Sequence, residues 1–254
     1  MSWFLLNRNL TLLEPYDWKL SCTVLRGERG SNAPDLPGNL GASVSTYIPV
    51  FGKTLNVNAE YYYTDFRKQV VVDMDSNPHE VAFYNLDGRS YSHVFQVEAS
   101  YPFFKGFTLT GAYRLTDAQT TYKGQRMEKP LTGKYKGLLT ASYQTPLGIW
   151  QFDATLQLNG GGRMPAPYEL ADGQLSWSRR YGSFEQLSMQ VTRYFRRWSI
   201  YVGGENLTNF KQKNPIIDAA NPWGDNFDST MIWGPVHGAK AYVGIRFNLA
   251  RNGE

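Results

Sequence analysis

Short and long connections alternate strictly along this chain, and that rhythm limits its possible folds more than any other feature of the sequence. The short ones are Pro49-Val50-Phe51-Gly52-Lys53, Pro102-Phe103-Phe104-Lys105-Gly106, Thr145-Pro146-Leu147-Gly148-Ile149 and the pair Arg196-Arg197. The long ones cover roughly 65 to 90, 116 to 134, 159 to 184 and 207 to 238, far above the ~4–6 residues usual within a compact domain. Each short connection joins two runs that alternate apolar and polar residues, the mark of an extended hairpin with one dry and one wet face. The clearest run is the last. From Ala239 to Leu249 the odd positions Ala239, Ala241, Val243, Ile245, Phe247 and Leu249 are apolar, while Lys240, Tyr242, Gly244, Arg246 and Asn248 are mostly polar.

Taken in order, residues 1 to 15 carry little pattern, and alternation begins at Tyr16 with Trp18, Leu20, Cys22 and Val24 on one face. Gly27, Gly30, Pro34, Pro37 and Gly38 mark a loop. Strands then follow at Leu40 to Ile48, Leu55 to Tyr63, His93 to Tyr101, Phe107 to Leu115, Tyr135 to Gln144 and Trp150 to Leu158. Leu187, Met189 and Val191 alternate with polar residues in the next strand, and Trp198, Ile200 and Val202 do so in the one after it. With the final run the count is about ten. The expected division is a poorly patterned segment with one strand over 1–38 and a barrel portion over 39–254.

A mean hydropathy of −0.44 and the lack of any apolar run near the ~18 residues of a membrane helix exclude a helical membrane protein. Seventeen Tyr, 14 Phe and 7 Trp suit a barrel whose rings collect at the two membrane interfaces. Tyr47, Phe51, Tyr101, Phe103, Phe104, Phe107, Tyr143, Trp150, Tyr194, Phe195, Trp198 and Phe247 crowd the short-turn ends. The general liking of rings for strands explains their number but not this location. The net charge of +4 is spread over strands and turns, with no basic run beyond pairs such as Arg179-Arg180, so nucleic acid is not an expected partner. One cysteine, Cys22, allows no internal disulfide. Met1 to Arg8 lacks the segments of a signal peptide, which suggests that an exported product would extend beyond this chain.

These readings combine into one fold class: all-β, an antiparallel transmembrane β-barrel segment of about ten strands. Short turns lie on the periplasmic side and long loops outside, and the last strand ends on the short-turn side.

The stretch Tyr201-Val-Gly-Gly-Glu-Asn-Leu-Thr-Asn-Phe210, the loop text Asn214-Pro-Ile-Ile217 and Ile232-Trp-Gly-Pro-Val236, and the strand Tyr242-Val-Gly-Ile-Arg-Phe247 together resemble the C-terminal end of TonB-dependent outer-membrane receptors of the Bacteroidetes type. Glu205, Asn206, Leu207, Thr208 and Asn209 carry the family motif. The resemblance implies an outer-membrane location and TonB-dependent uptake of a scarce ligand such as a siderophore, vitamin, glycan or peptide. Phe247 resembles the aromatic that outer-membrane proteins present to the barrel assembly machinery, although Asn248 to Glu254 follow it here. Family members close a roughly 22-stranded barrel around an N-terminal plug, so the resemblance also implies partners: outer-membrane lipid, the plug and further strands, and TonB through the plug alone.

No catalytic constellation, cofactor site or metal site is expected. His79 lies in Asp73-Met-Asp-Ser-Asn-Pro-His-Glu80, and Asp225 and Asp228 lie in the last loop, but neither spacing matches a defined site. His93 and His237 are isolated, and Gly160-Gly161-Gly162 lacks the Lys-Ser/Thr of a phosphate loop. Trp177, Trp223, Phe227 and Trp233, with Tyr168, fall in the long loops, where they either stack on an external ligand or pack the loops together. Two other readings compete: an independent small outer-membrane barrel, hydrolase or adhesin, and a soluble β-sandwich.

Overall fold

The computed structural model describes residues 19–23, 38–77, 80–170 and 173–248. Expectations that rest on residues 1–18, on the loop at 24–37, on His79 and on 249–254 lie outside the described residues. No helix occurs in the rest. The strands are β1 (Lys19–Thr23), β2 (Gly38–Val50), β3 (Lys53–Phe66), β4 (Val70–Asp73), β5 (Ala82–Asn85), β6 (Ser90–Phe104), β7 (Phe107–Tyr122), β8 (Gln125–Glu128), β9 (Tyr135–Gln144), β10 (Trp150–Asn159), β11 (Gly162–Arg163), β12 (Arg180–Tyr181), β13 (Phe184–Tyr194), β14 (Trp198–Glu205) and β15 (Lys240–Phe247).

Ten of them form one antiparallel sheet in the order β1-β2-β3-β6-β7-β9-β10-β13-β14-β15, with β8 folded back on the end of β7. Neighbours in space are neighbours in sequence, as an up-and-down wall requires. The path is open. β1 and β15 are its two ends and do not pair with each other among the described residues.

Register explains why the sheet has two chemically distinct faces. Opposed residues point the same way, and the row Phe107, Tyr143, Phe152, Val191, Val202, Val243 crosses six strands on one side. A second row on that side runs Val57, Ala99, Gly111, Leu139, Leu156, Leu187. One residue further along, the other face carries Asn56, Ser100, Thr110, Thr140, Thr155 and Ser188. These hydroxyls bond across strands, Ser100 to Thr110 at 2.9 Å and Thr140 to Thr155 at 3.2 Å. A slip of one residue anywhere would exchange the faces, so the alternation fixes the pairing.

Among the described residues nothing covers the apolar face. Val243 is 73% exposed, Ile245 71% and Phe247 59%. In water such a stripe, at ~25 cal/mol per Å2, would be a large unfavourable surface. At its short-turn edge lies a belt of rings: Phe104 stacks on Phe107 at 4.8 Å, Tyr143 and Trp150 flank Phe152, and Phe195 stacks on Trp198 at 3.9 Å. Arg193 bridges Trp150 and Phe195, 5.0 and 5.1 Å from their centroids.

The long connections hold more structure than their polar composition suggests. β7 runs on to Tyr122 rather than stopping near Leu115, and β4–β5, β8 and β11–β12 are small ribbons within the outer stretches. Most fully buried hydrophobic side chains sit there, among them Val71, Met164, Ile217 and Met231.

Candidate functional site

The long connections gather at one end of the sheet, and the motif at the end of β14 shows how they are fastened. Asn206 is in the left-handed region, φ 51°, which asparagine tolerates better than most residues. Its buried amide replaces the ladder that ends at Glu205. Nδ2 donates to the carbonyls of Phe210 (2.8 Å) and His237 (3.1 Å), and Oδ1 accepts from the Phe210 N–H and the Thr208 hydroxyl, both at 3.2 Å. Thr208 shares its one hydroxyl hydrogen between that oxygen and the nearer Glu185 carbonyl at 2.8 Å, the Leu207 N–H donates to the Leu187 carbonyl, and Asn209 accepts from the Ala239 N–H. This motif therefore ties the ends of β13, β14 and β15 together. Gln212 continues the pattern. Its buried amide donates to the Met231 carbonyl and accepts from the Trp233 and Gly234 N–H groups.

Above this lies a small apolar core of Met164, Tyr181 and Met231, with Leu131, Trp177 and Trp233 packed against it. Tyr181 stacks on Trp233 at 5.0 Å, and Trp177 meets Tyr168 edge-on and donates to the Pro165 carbonyl at 2.9 Å. Trp177 and Trp233 are thus loop-packing residues. Trp223, 97% exposed, and Phe227, 38% exposed, remain at the surface.

Charge locks a second part of the assembly. Asp75 binds Arg163 at two points and also accepts from the Ala166 N–H, joining the β4 ribbon to the β11 loop. Glu128 takes Lys134 at 2.7 Å and Arg180 at 3.0 Å, and these cations, Lys134 foremost, hold its carboxyl below the usual range. Burial pushes Asp73 up. Hydrogen bonds from the Ser76 hydroxyl, the Asp75 N–H, the Tyr84 hydroxyl and the Ser76 N–H outweigh it, so the carboxyl lies below its ordinary value. Tyr84, desolvated and facing that carboxylate, is pushed up to about 12. Asp73 and Asp75 are committed to these partners, and no group of three or more His, Cys, Asp or Glu able to hold a metal occurs among the described residues. His93 is not alone in the structure. Its ring meets Tyr61, Tyr63 and Tyr91, a grouping invisible in sequence because the three tyrosines come from two strands.

A family model for the β-barrel of TonB-dependent receptor-like proteins matches residues 38–207, from the start of β2 to the motif that ends β14. The chain belongs to this family. Solved structures agree on the fold of this TonB-dependent receptor barrel. The ferric-catecholate import receptor Fiu from Escherichia coli K12 is 13% identical with a TM-score of 0.52, over 90% of this chain and 32% of that one. The copper transporter OprC is 11% identical with a TM-score of 0.59, over 88% and 33%. The siderophore receptor PiuA from Acinetobacter baumannii is 12% identical with a TM-score of 0.50, over 83% and 28%. The chain spans about a third of the length of these structures. No match was found among curated proteins.

Proposed function

We propose that this receptor-family chain forms part of the wall and outer mouth of an outer-membrane transporter that takes up a scarce ligand such as a siderophore, vitamin, glycan or peptide. The observation that carries this reading is the two-faced sheet. Its uncovered apolar face and ring belt suit lipid, and its hydroxyl- and amide-rich face suits a water-filled lumen. A soluble sandwich would instead lay a second sheet over the apolar side.

Among the described residues the outer edges of β1 and β15 find no partner strand, and backbone groups left open there could not be satisfied by lipid. Further strands complete the barrel, and a plug inside it receives the pull of TonB; energy enters through that plug and not through the wall. The wall's own work is to hold the loops, and the fastened loop base holds Trp223 and Phe227 outward, where their rings stack on the arriving ligand. No covalent step is assigned to the chain. The independent small barrel is less well supported, because its first and last strands would have to pair.

The test is uptake by cells that lack the protein. Ferric chelates, cobalamin, oligosaccharides and peptides are offered with and without a protonophore. Loss of uptake for one class, down to the protonophore-treated level, supports the reading; unchanged uptake of all four sinks it.

A further inference from the structure

At its long-loop end the outward face bears a group that does not belong in hydrocarbon. At the long-loop end of β3 and β6, Tyr61, Tyr63, Tyr91 and His93 line a groove of about 450 Å3 with Arg89 and Arg126. Register places the four rings on the apolar side, in line with Ala59, Val97 and Phe95. Both guanidiniums converge on one ring, Arg89 at 5.9 Å and Arg126 at 5.8 Å from the Tyr91 centroid. Arg89 also donates to the Tyr63 hydroxyl at 3.1 Å, and Tyr61 shares a 2.7 Å hydrogen bond with His93 Nδ1. Leu40, opposite Tyr63, lines the groove as well, and Phe95 and Leu115 adjoin it beside Tyr61; each of the three is more than 40% exposed.

The balance of charge favours an anion. Three guanidiniums, Arg67, Arg89 and Arg126, stand against two carboxylates: Asp65, 3.6 Å from both Arg67 and Arg89, and Asp117, opposite His93, which accepts from the neutral amide of Gln119, so one positive charge is left in excess. Arg126 pairs with no carboxylate among the described residues. Its exposed fork therefore keeps its donors for an outside partner, and a guanidinium matches a phosphate better than any other side chain does. Depth selects the partner. A phosphate at the rim, joined to acyl chains running down Leu40, Phe95 and Leu115, satisfies the cations and the apolar wall together; a soluble anion satisfies only the first.

We propose that this groove binds the phosphorylated headgroup of a membrane lipid, with Arg126 as the principal phosphate ligand, Arg89 as the second, and the tyrosines as the ring platform that holds both. The inference rests on the lipid-facing reading of the apolar side and deepens it.

The experiment isolates the whole protein from its own outer membrane in mild detergent and counts bound lipid by native mass spectrometry. The probes are dioleoyl phosphatidic acid, dioleoylglycerol with the same chains, and inorganic phosphate as competitor. Adducts with phosphatidic acid but not dioleoylglycerol are expected, weakened about tenfold in R89Q/R126Q and by more than half of that in R126Q alone. R114Q, on the wet face, should bind as the wild type does. Arg126 is exposed and makes no ion pair among the described residues, so its single variant keeps the test decisive if the double variant misfolds. Equal adducts from both lipids, unchanged binding in R126Q, or displacement by inorganic phosphate at the lipid's own concentration would overturn the site while leaving the membrane reading intact. Recovery of the protein in the soluble fraction would remove both.

Discussion

Arg163 and Asp75, 88 positions apart, face each other through two parallel hydrogen bonds of 2.7 and 2.9 Å, Nη1 to Oδ1 and Nη2 to Oδ2. Neither is much exposed, 16% for the arginine and 10% for the aspartate side chain. Such a pair joins two outer stretches that share no ladder, so its loss should free one from the other.

Removing one partner strands the other's charge in a half-dry place, which typically costs about 3–5 kcal/mol. Arg163→Ala should therefore release the β4–β5 ribbon. Limited proteolysis of the native protein should show new cleavage between Val70 and Asn85, with the wall intact. Cleavage unchanged from wild type would mean that the pair is not what holds the ribbon.

The same ribbon should respond to pH at both ends of the scale. The Asp73 carboxyl is lowered by its hydrogen bonds, so its contribution is full above the ordinary carboxylate value of 3.8 and falls away as pH drops through the lower folded value. Tyr84 is raised to about 12 from an ordinary 10.0, so its contribution is full below pH 10 and is lost as pH climbs toward 12. Proteolysis with proteases suited to each range should find the ribbon closed from about pH 4 to 10, and open beyond. Tyr84→Phe should shift the alkaline limit; a limit that stays put would assign it to another group.

Asn206 combines a left-handed backbone with four hydrogen bonds, and different substitutions separate the two. Glycine keeps the backbone and loses the bonds; aspartate keeps the acceptor and loses both donations. Alanine loses both and should be worst, by about 2–4 kcal/mol. Thermal unfolding of the detergent-solubilised protein should rank wild type above Asp and Gly, with Ala last. Alanine as stable as the wild type would contradict the fastening role.

Val202 lies between Val191 and Val243 on the apolar face, whereas Tyr201 points to the wet side. A lysine in the middle of a lipid-facing wall costs about 2–4 kcal/mol. Val202→Lys should reduce the amount of assembled protein in the outer membrane, and Tyr201→Lys should not. Equal tolerance at both positions would count against lipid on the Val202 side.

The wall was legible from the sequence because period-two patterning over β2, β3, β6, β9, β10, β13, β14 and β15 is a local property of each strand. The ring belt was legible too, since each hairpin carries its own share beside its own turn. The outer assembly was not. Asp75 meets Arg163 only after the chain has crossed the sheet and returned, and Gln212 meets Met231 and Trp233 only once the long connection between β14 and β15 has folded back on itself. Trp177 and Trp223 look alike in sequence. Their fates diverge because only Trp177 finds Pro165 and Tyr168. β8 folds back onto the end of β7, with Arg126 opposite Thr121, a pairing no polar-loop composition announces.

The central claim is that one face of this sheet meets lipid and the other water. Single cysteines placed in turn along Trp198–Glu205 and Lys240–Phe247, in a Cys22→Ser background, would carry a nitroxide in native outer membranes. Relaxation by dissolved oxygen should peak at positions 200, 202, 243 and 245, and relaxation by a water-soluble nickel chelate at 199, 201, 242 and 244. A profile without this two-residue alternation, or one with every position open to the chelate, would contradict the account.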